Sequence, residues 1–177
     1  LPRIHRRINE DLQSTDPMVR DTAARLYLVD KTGFRIGSAG DTKADVQAYG
    51  ASTLLGKHVT VDGNRVTFNF VGKQGVRIHK SVRDDMLAQI VNERKTAQWS
   101  APLFAQTNDG RVRAYLKQLG DFKVHDFRTY AGTAVALRWI KRRQGPASSE
   151  ATFGKWQKQV AIKVGKHLGN APGMALN

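Results

Sequence analysis

At 177 residues with a formal net charge of +14, the chain is long enough to bury a core in one large domain or two small ones, and it carries a field that gathers polyanions. It has no cysteine, which excludes disulfides and thiolate metal sites and makes an intracellular setting the expectation. No apolar run reaches membrane-spanning length, no secretory leader is visible at Leu1-Pro-Arg-Ile-His, and the missing initiator methionine reads as a fragment of a longer protein.

Residues 3–13 read as a short basic helix. Asp16-Pro17 is a helix start, an acceptor at the N-cap followed by proline in the first turn, and Gly33 is a plausible stop. Val19, Ala23, Leu26 and Val29 mark its apolar face. The helix delivers the chain into Thr32-Gly-Phe-Arg-Ile-Gly-Ser38, where Arg35 stands between two apolar anchors and two glycines; such a charge has either a structural ion pair or a function. Residues 39–48 read as a loop, and Tyr49-Gly-Ala-Ser-Thr-Leu-Leu55 as its ordered end.

The β signal comes next. Val59 and Val61, then Val66, Phe68 and Phe70, then Val76, Ile78 and Lys80 alternate with polar residues across turns at Asp62-Gly-Asn64 and Gly72-Lys-Gln-Gly75. This predicts a three-stranded meander with Lys73 in a glycine-bracketed turn, either solvated or carried into a site. Ser81 is the expected cap of a helix to about Arg94 with Val82, Met86, Ile90 and Val91 inward. Pro102-Leu103-Phe104 reads as a packing plug. Asn108 opens a helix on Val112, Tyr115, Leu116 and Leu119, stopped by Gly120.

A central helix runs from Asp126 to about Arg143, with Phe127, Tyr130, Ala134 and Leu137 as its inward stripe. Arg128 lies near its start, where backbone N–H groups are unpaired and the dipole is positive; the residue is either a surface arginine or a rigid fork for a phosphate. Its tail carries Arg138, Lys141, Arg142 and Arg143, a cluster that touches a phosphate backbone or is simply solvated. A last helix from Ser148 or Ser149 turns Phe153, Trp156, Val160, Val164 and Leu168 inward and ends at Leu168-Gly-Asn-Ala-Pro172. Residues 111–166 carry 13 Lys and Arg against 3 Asp and Glu, which predicts salt-sensitive nucleic-acid affinity.

Carboxylates are scattered. Asp84-Asp85 is the one adjacent pair of aspartates, and neighbours on a helix diverge by roughly 100°, a poor chelate. There is no P-loop, dinucleotide fingerprint or HExxH. No metal and no small-molecule cofactor is expected, and an enzyme built this way works on phosphate with cations. His5, His58 and His79 read as surface or strand-end residues and His167 as packing, because no second ligand stands at metal-site spacing.

Taken in order, TGFRIGS (32–38), YGASTL (49–54) with Lys57-His58-Val59, VGKQG (71–75), VHDFRTYAG (124–132) and LGNAP (168–172) resemble the catalytic domain of type IB DNA topoisomerases, the short viral and bacterial branch. The resemblance spans nearly the whole chain. It implies a DNA breaking–rejoining fold of α+β class, mostly helical with a small three-stranded antiparallel sheet, over residues 1–177. It also implies an isomerase that cleaves one strand through a 3′-phosphotyrosyl linkage and reseals it without ATP or metal. On that resemblance Arg35 and Arg128 bind the nonbridging oxygens and Lys73 protonates the departing 5′ oxygen. Asn170, where many relatives have histidine, donates a hydrogen bond; His125, Tyr49, Lys141, Arg142 and Arg143 contact DNA. The partner implied is double-stranded DNA, in the cytoplasm, nucleoid-associated, or in another DNA-containing compartment; a monomer is expected.

The nucleophile departs from the pattern. Tyr27, Tyr49, Tyr115 and Tyr130 stand in other contexts, and family spacing puts the tyrosine a couple of residues past Asn177. The 177 residues are therefore expected to bind DNA without cleaving it. The family's N-terminal clamp domain is also missing, and residues 39–48 lack the aromatic that relatives place near the phosphates. Two alternatives share the charge pattern. One is a tyrosine recombinase catalytic domain, whose HxxR pattern His125–Arg128 satisfies. The other is a non-enzymatic basic nucleic-acid-binding module, in which Arg35, Lys73, Arg128 and Asn170 would have no common destination.

Overall fold

The computed structural model describes residues 2–37, 47–95, 99–105, 108–143 and 145–170. Its helices are α1 (Pro2–Asp11), α2 (Pro17–Thr32), α3 (Asp85–Arg94), α4 (Asp109–Leu119), α5 (Val124–Lys141) and α6 (Glu150–Leu168), and its strands are β1 (Val59–Asp62), β2 (Arg65–Val71) and β3 (Arg77–Arg83). It is α+β, mostly helical with one small antiparallel sheet. Among the described residues no helix is long and apolar enough to cross a membrane.

Helix α2 is the axis of the core. Asp16 Oδ1 accepts from Met18 N at 2.8 Å and Val19 N at 3.4 Å, and Pro17 follows, so the start is fixed by side chain and ring together. Ala23, Ala24, Leu26, Leu28 and Val29 are fully buried, as befits a helix covered on most sides. Gly33, left-handed at φ +67°, ends it and turns the chain toward Phe34.

The meander has the order β1-β2-β3. Val61 pairs with Val66, Val59 with Phe68, and Phe70 with Ile78, so one face of the sheet is apolar. Phe34 joins that face edge-on, 5.1 Å from Phe68 and 5.0 Å from Phe70. Leu103 and Phe104 are buried against the same core, the expected plug.

Several expectations change. Ser81 does not cap α3. It lies in β3 opposite Thr67, and Asp84 is the cap, accepting from Leu87 N at 2.9 Å; strand pairing extends to Arg83, which leaves Val82 in the sheet. The central helix begins at Val124, two residues early, where Asp126 Oδ2 accepts from Lys123 N at 2.8 Å. Its buried face is also rotated. Phe127, Arg128 and Gly132 are inward, whereas Tyr130 and Leu137 are about half exposed.

The reason is that α5 and α6 pair with each other outside the main core. At Gly132 a Cβ would sit 3.3 Å from both Leu168 and Val164, so the two helices approach through a small residue. On α6, Ala161 and Gly165 are the buried positions and Phe153 is exposed, contrary to its expected inward role.

Candidate active site

Three chain segments converge where α2 and α6 end and α5 begins. The first, residues 33–37, leaves α2. Phe34 anchors it in the core, and the Arg35 and Ile36 carbonyls accept from Ala51 N at 2.8 Å and Ser52 N at 2.6 Å. The YGAS turn thus holds the backbone that carries Arg35. The approach is close enough to require glycine: a Cβ on Gly50 would lie 2.6 Å from Gly37 Cα and 2.8 Å from the Arg35 carbonyl.

The second segment is the end of α6. Gly169 is left-handed, and Asn170 N donates to Gly165 O at 2.9 Å, a Schellman closure that fixes Asn170 just beyond the last turn. The third is the first turn of α5, which brings in Arg128.

These segments meet through side chains. Arg128 Nη2 donates to Asn170 Oδ1 at 2.9 Å and Arg35 Nη2 donates to the same oxygen at 3.1 Å. Arg128 also donates to Leu168 O at 3.2 Å and to the Gly33 carbonyl. Two guanidinium groups are thus held on one amide oxygen. With its Oδ1 taken by two donors, the Asn170 amide is oriented and its NH₂ is turned away from them as a donor.

Arg128 is 7% exposed, and burial first and then the Arg35 charge pull its guanidinium down to about 10, still charged at neutral pH. Two like charges so close on one acceptor suit an anion with several oxygens.

The remaining predicted residues divide. Lys73 is exposed on the tight turn between β2 and β3, yet lines a narrow cavity with Arg35, Tyr49 and Arg128. Tyr49 is half-buried, edge-on to His58 at 4.3 Å, with its hydroxyl donating to Gln47 at 3.0 Å. His125, exposed, sits beside Thr129 at 3.1 Å and lines a groove of about 880 Å³ with Arg35, Arg128 and Asn170.

Lys141, Arg142 and Arg143 are elsewhere, Lys141 roughly 20 Å from Arg128 along α5 at 1.5 Å per residue. Lys141 and Arg142 are exposed, whereas the Arg143 guanidinium is stacked 3.7 Å from the Trp139 ring and 4.8 Å from Trp156. Arg143 is therefore not an equal third member of a solvated cluster. His58, expected at the surface, is 8% exposed, accepts from Leu55 N through Nδ1, and is pushed down by burial. Residues 171–172 of the LGNAP segment, Ser38 and residues 39–46 of the predicted loop lie outside the described residues.

Sequence reasoning missed Lys80 as a site residue. Its Nζ donates to Thr32 O at 2.5 Å and His167 O at 2.8 Å, each one residue before a carbonyl that accepts from Arg128. The signal was present: Lys80 stands at a core-parity position of β3, paired with buried Phe68. It also missed Arg113 and Asp109, paired at 2.7 Å on α4 and bordering a groove with Arg35, Tyr49 and Lys73.

A family model described as the catalytic core of eukaryotic DNA topoisomerase I matches residues 1–172. The chain belongs to this family. It is 26% identical over 155 residues to human DNA topoisomerase 1, covering 81% of this chain and 20% of the human protein. It is 25% identical over 183 residues to the Caenorhabditis elegans DNA topoisomerase 1, covering 90% and 22%, respectively. Against the DNA topoisomerase 1B of Acanthamoeba polyphaga mimivirus it is 28% identical over 127 residues, covering 64% of this chain and 38% of the viral protein. The chain thus spans about a fifth of the human and nematode topoisomerases, and eukaryotic and viral relatives both resemble it.

Among the described residues of this topoisomerase-family chain, no group of three or more His, Asp or Glu is arranged to hold a metal ion.

Proposed function

We propose that residues 1–177 form the catalytic domain of a type IB DNA topoisomerase, which relaxes supercoiled duplex DNA by transient cleavage of one strand. Arg35 and Arg128 bind the nonbridging oxygens of the scissile phosphate, and Asn170 donates through its amide N–H. Lys73 delivers a proton to the 5′ oxygen from the hairpin turn, and His125 and Tyr49 flank the bound backbone. The observation that carries this reading is the shared acceptor: two guanidinium groups from distant segments meet on Asn170 Oδ1. A phosphodiester entering there would be offered two fixed cations and an amide donor, which is what a transition state with charge spread over its oxygens needs.

On this reading none of the four tyrosines here is the nucleophile. Tyr27 donates to Asp84 at 2.9 Å and Tyr115 to Asp11 at 2.6 Å, both held above the ordinary phenol value by burial and a carboxylate. Tyr130 is exposed beside His5, and the Tyr49 hydroxyl is engaged by Gln47. The 177 residues alone bind DNA as a monomer without forming an adduct. A covalent phosphotyrosine conserves the energy of the phosphodiester, so resealing requires no nucleotide.

Full-length protein should relax a negatively supercoiled plasmid in EDTA without ATP. Absence of relaxation, with synapsis and exchange of paired sites instead, would transfer the same chemistry to a recombinase.

A further inference from the structure

Two helix C-termini face each other beneath the candidate site. Helix α2 ends at Thr32 and Gly33, and α6 ends at His167 and Leu168. Each end presents backbone carbonyls without helical partners and the negative pole of a dipole. Two cations bridge the gap side by side. Arg128 takes the Gly33 and Leu168 carbonyls. Lys80 takes the Thr32 and His167 carbonyls, one residue earlier on both helices. Lys80 comes from β3, and the turn that starts the β2–β3 hairpin's return carries Lys73.

We propose that Lys80 is a positioning residue whose ammonium ties together the α2 exit carrying Arg35, the α6 exit carrying Asn170 and the hairpin carrying Lys73. The proposal rests on the phosphoryl-transfer reading of that site. Both acceptors of Lys80 are framework carbonyls, so it acts through Arg35, Arg128 and Asn170 and not on DNA. A lysine suits this place because one compact ammonium can donate to two carbonyls of separate helices while its stem fills the apolar face of the sheet.

The charged and titratable groups facing it are Arg128 from α5 and His167 from α6, with Arg138 adding its field at His167. Helix α2 contributes the Thr32 carbonyl and β2 the neutral Phe68. Burial, then Arg128, pull Lys80 down to about 8; burial, then Lys80, pull His167 to about 4, so His167 is neutral where Lys80 titrates. Above pH 8 the amine keeps two N–H donors but loses the charge that complements both helix ends, and the tie weakens.

The test uses full-length protein, unsubstituted and as Lys80→Met and Lys80→Arg, from pH 6 to 9.5. Single-turnover cleavage of a defined duplex and duplex affinity are measured beside NMR of ¹⁵N-labelled arginine and asparagine side chains. The unsubstituted protein should lose cleavage rate as pH rises through about 8, with Arg128 and Asn170 side-chain signals shifting over the same range. Lys80→Met should cleave roughly 10- to 100-fold more slowly at pH 7, with duplex affinity changed less than about twofold and no limb near pH 8. Lys80→Arg should recover much of the rate and move the limb upward. An unchanged rate and limb in Lys80→Met overturns the proposal. If that variant does not fold, an unmoved limb in Lys80→Arg overturns it equally. Side-chain signals that shift near pH 8 in a protein that never cleaves DNA would support the tie while refuting the topoisomerase reading.

Discussion

The two ends of α5 carry the same kind of charge and treat it in opposite ways. At the N-terminal end Arg128 is nearly buried and spread over the Gly33 and Leu168 carbonyls and Asn170 Oδ1. At the C-terminal end Lys141 and Arg142 are solvated, and Arg143 lies between two tryptophans. Positive charge by itself distinguishes nothing here. A cation whose position is fixed by several acceptors can stabilise a charge that develops at one point, whereas a solvated cation contributes only to the field around the molecule.

Replacing a fixed cation should therefore have the largest effect. In full-length protein, Arg128→Ala should cost about 3–5 kcal/mol of transition-state stabilisation in single-turnover cleavage, with duplex affinity nearly unchanged. Equal losses in both would make Arg128 a docking residue and erase the contrast between the two ends. Gly50→Ala attacks the same end indirectly. Its Cβ would collide with Gly37 and the Arg35 carbonyl, so thermal or urea unfolding should report about 1–3 kcal/mol lost, and cleavage should fall with it. Full activity in that variant would mean the YGAS turn does not set the position of Arg35.

Legibility followed the same division. Asp16-Pro17 to Gly33 is readable because cap, proline and left-handed glycine each have one favourable use, and the sheet is readable from alternation of valine and phenylalanine. The inward face of α5 was not. Phe127, Tyr130 and Leu137 fit a helical stripe, but which stripe is covered depends on α6, and the packing of Gly132 on Val164 and Leu168 rotates the helix. Asp84 and Ser81 are both good caps, and only strand pairing to Arg83 decides between them. Arg35, Arg128 and Asn170 were identified through motif resemblance, since nothing in local sequence says that positions 35, 128 and 170 share a neighbour. Lys80 was readable as a lysine on the core face of a strand, and only the fold supplies its two carbonyls.

At the other end of α5 smaller effects are expected. Lys141→Ala or Arg142→Ala should leave cleavage at saturating DNA unchanged and reduce the slope of log affinity against log salt by about 0.9 for each phosphate no longer neutralised. Arg143→Ala should change that slope less and instead cost about 0.5–2 kcal/mol of stability, from its two stacked rings. A full unit of slope for Arg143 would mean that its guanidinium leaves the tryptophans when DNA is bound.

The claim beneath all of this is that Arg35 and Arg128 act on one phosphate as a unit. A double-mutant cycle of Arg35→Ala and Arg128→Ala, read as single-turnover cleavage by full-length protein at saturating duplex, tests it most directly. Strong non-additivity is predicted, with the double variant cleaving little more slowly than the worse single variant. Additive losses would contradict the account, because two cations serving separate phosphates would fail independently.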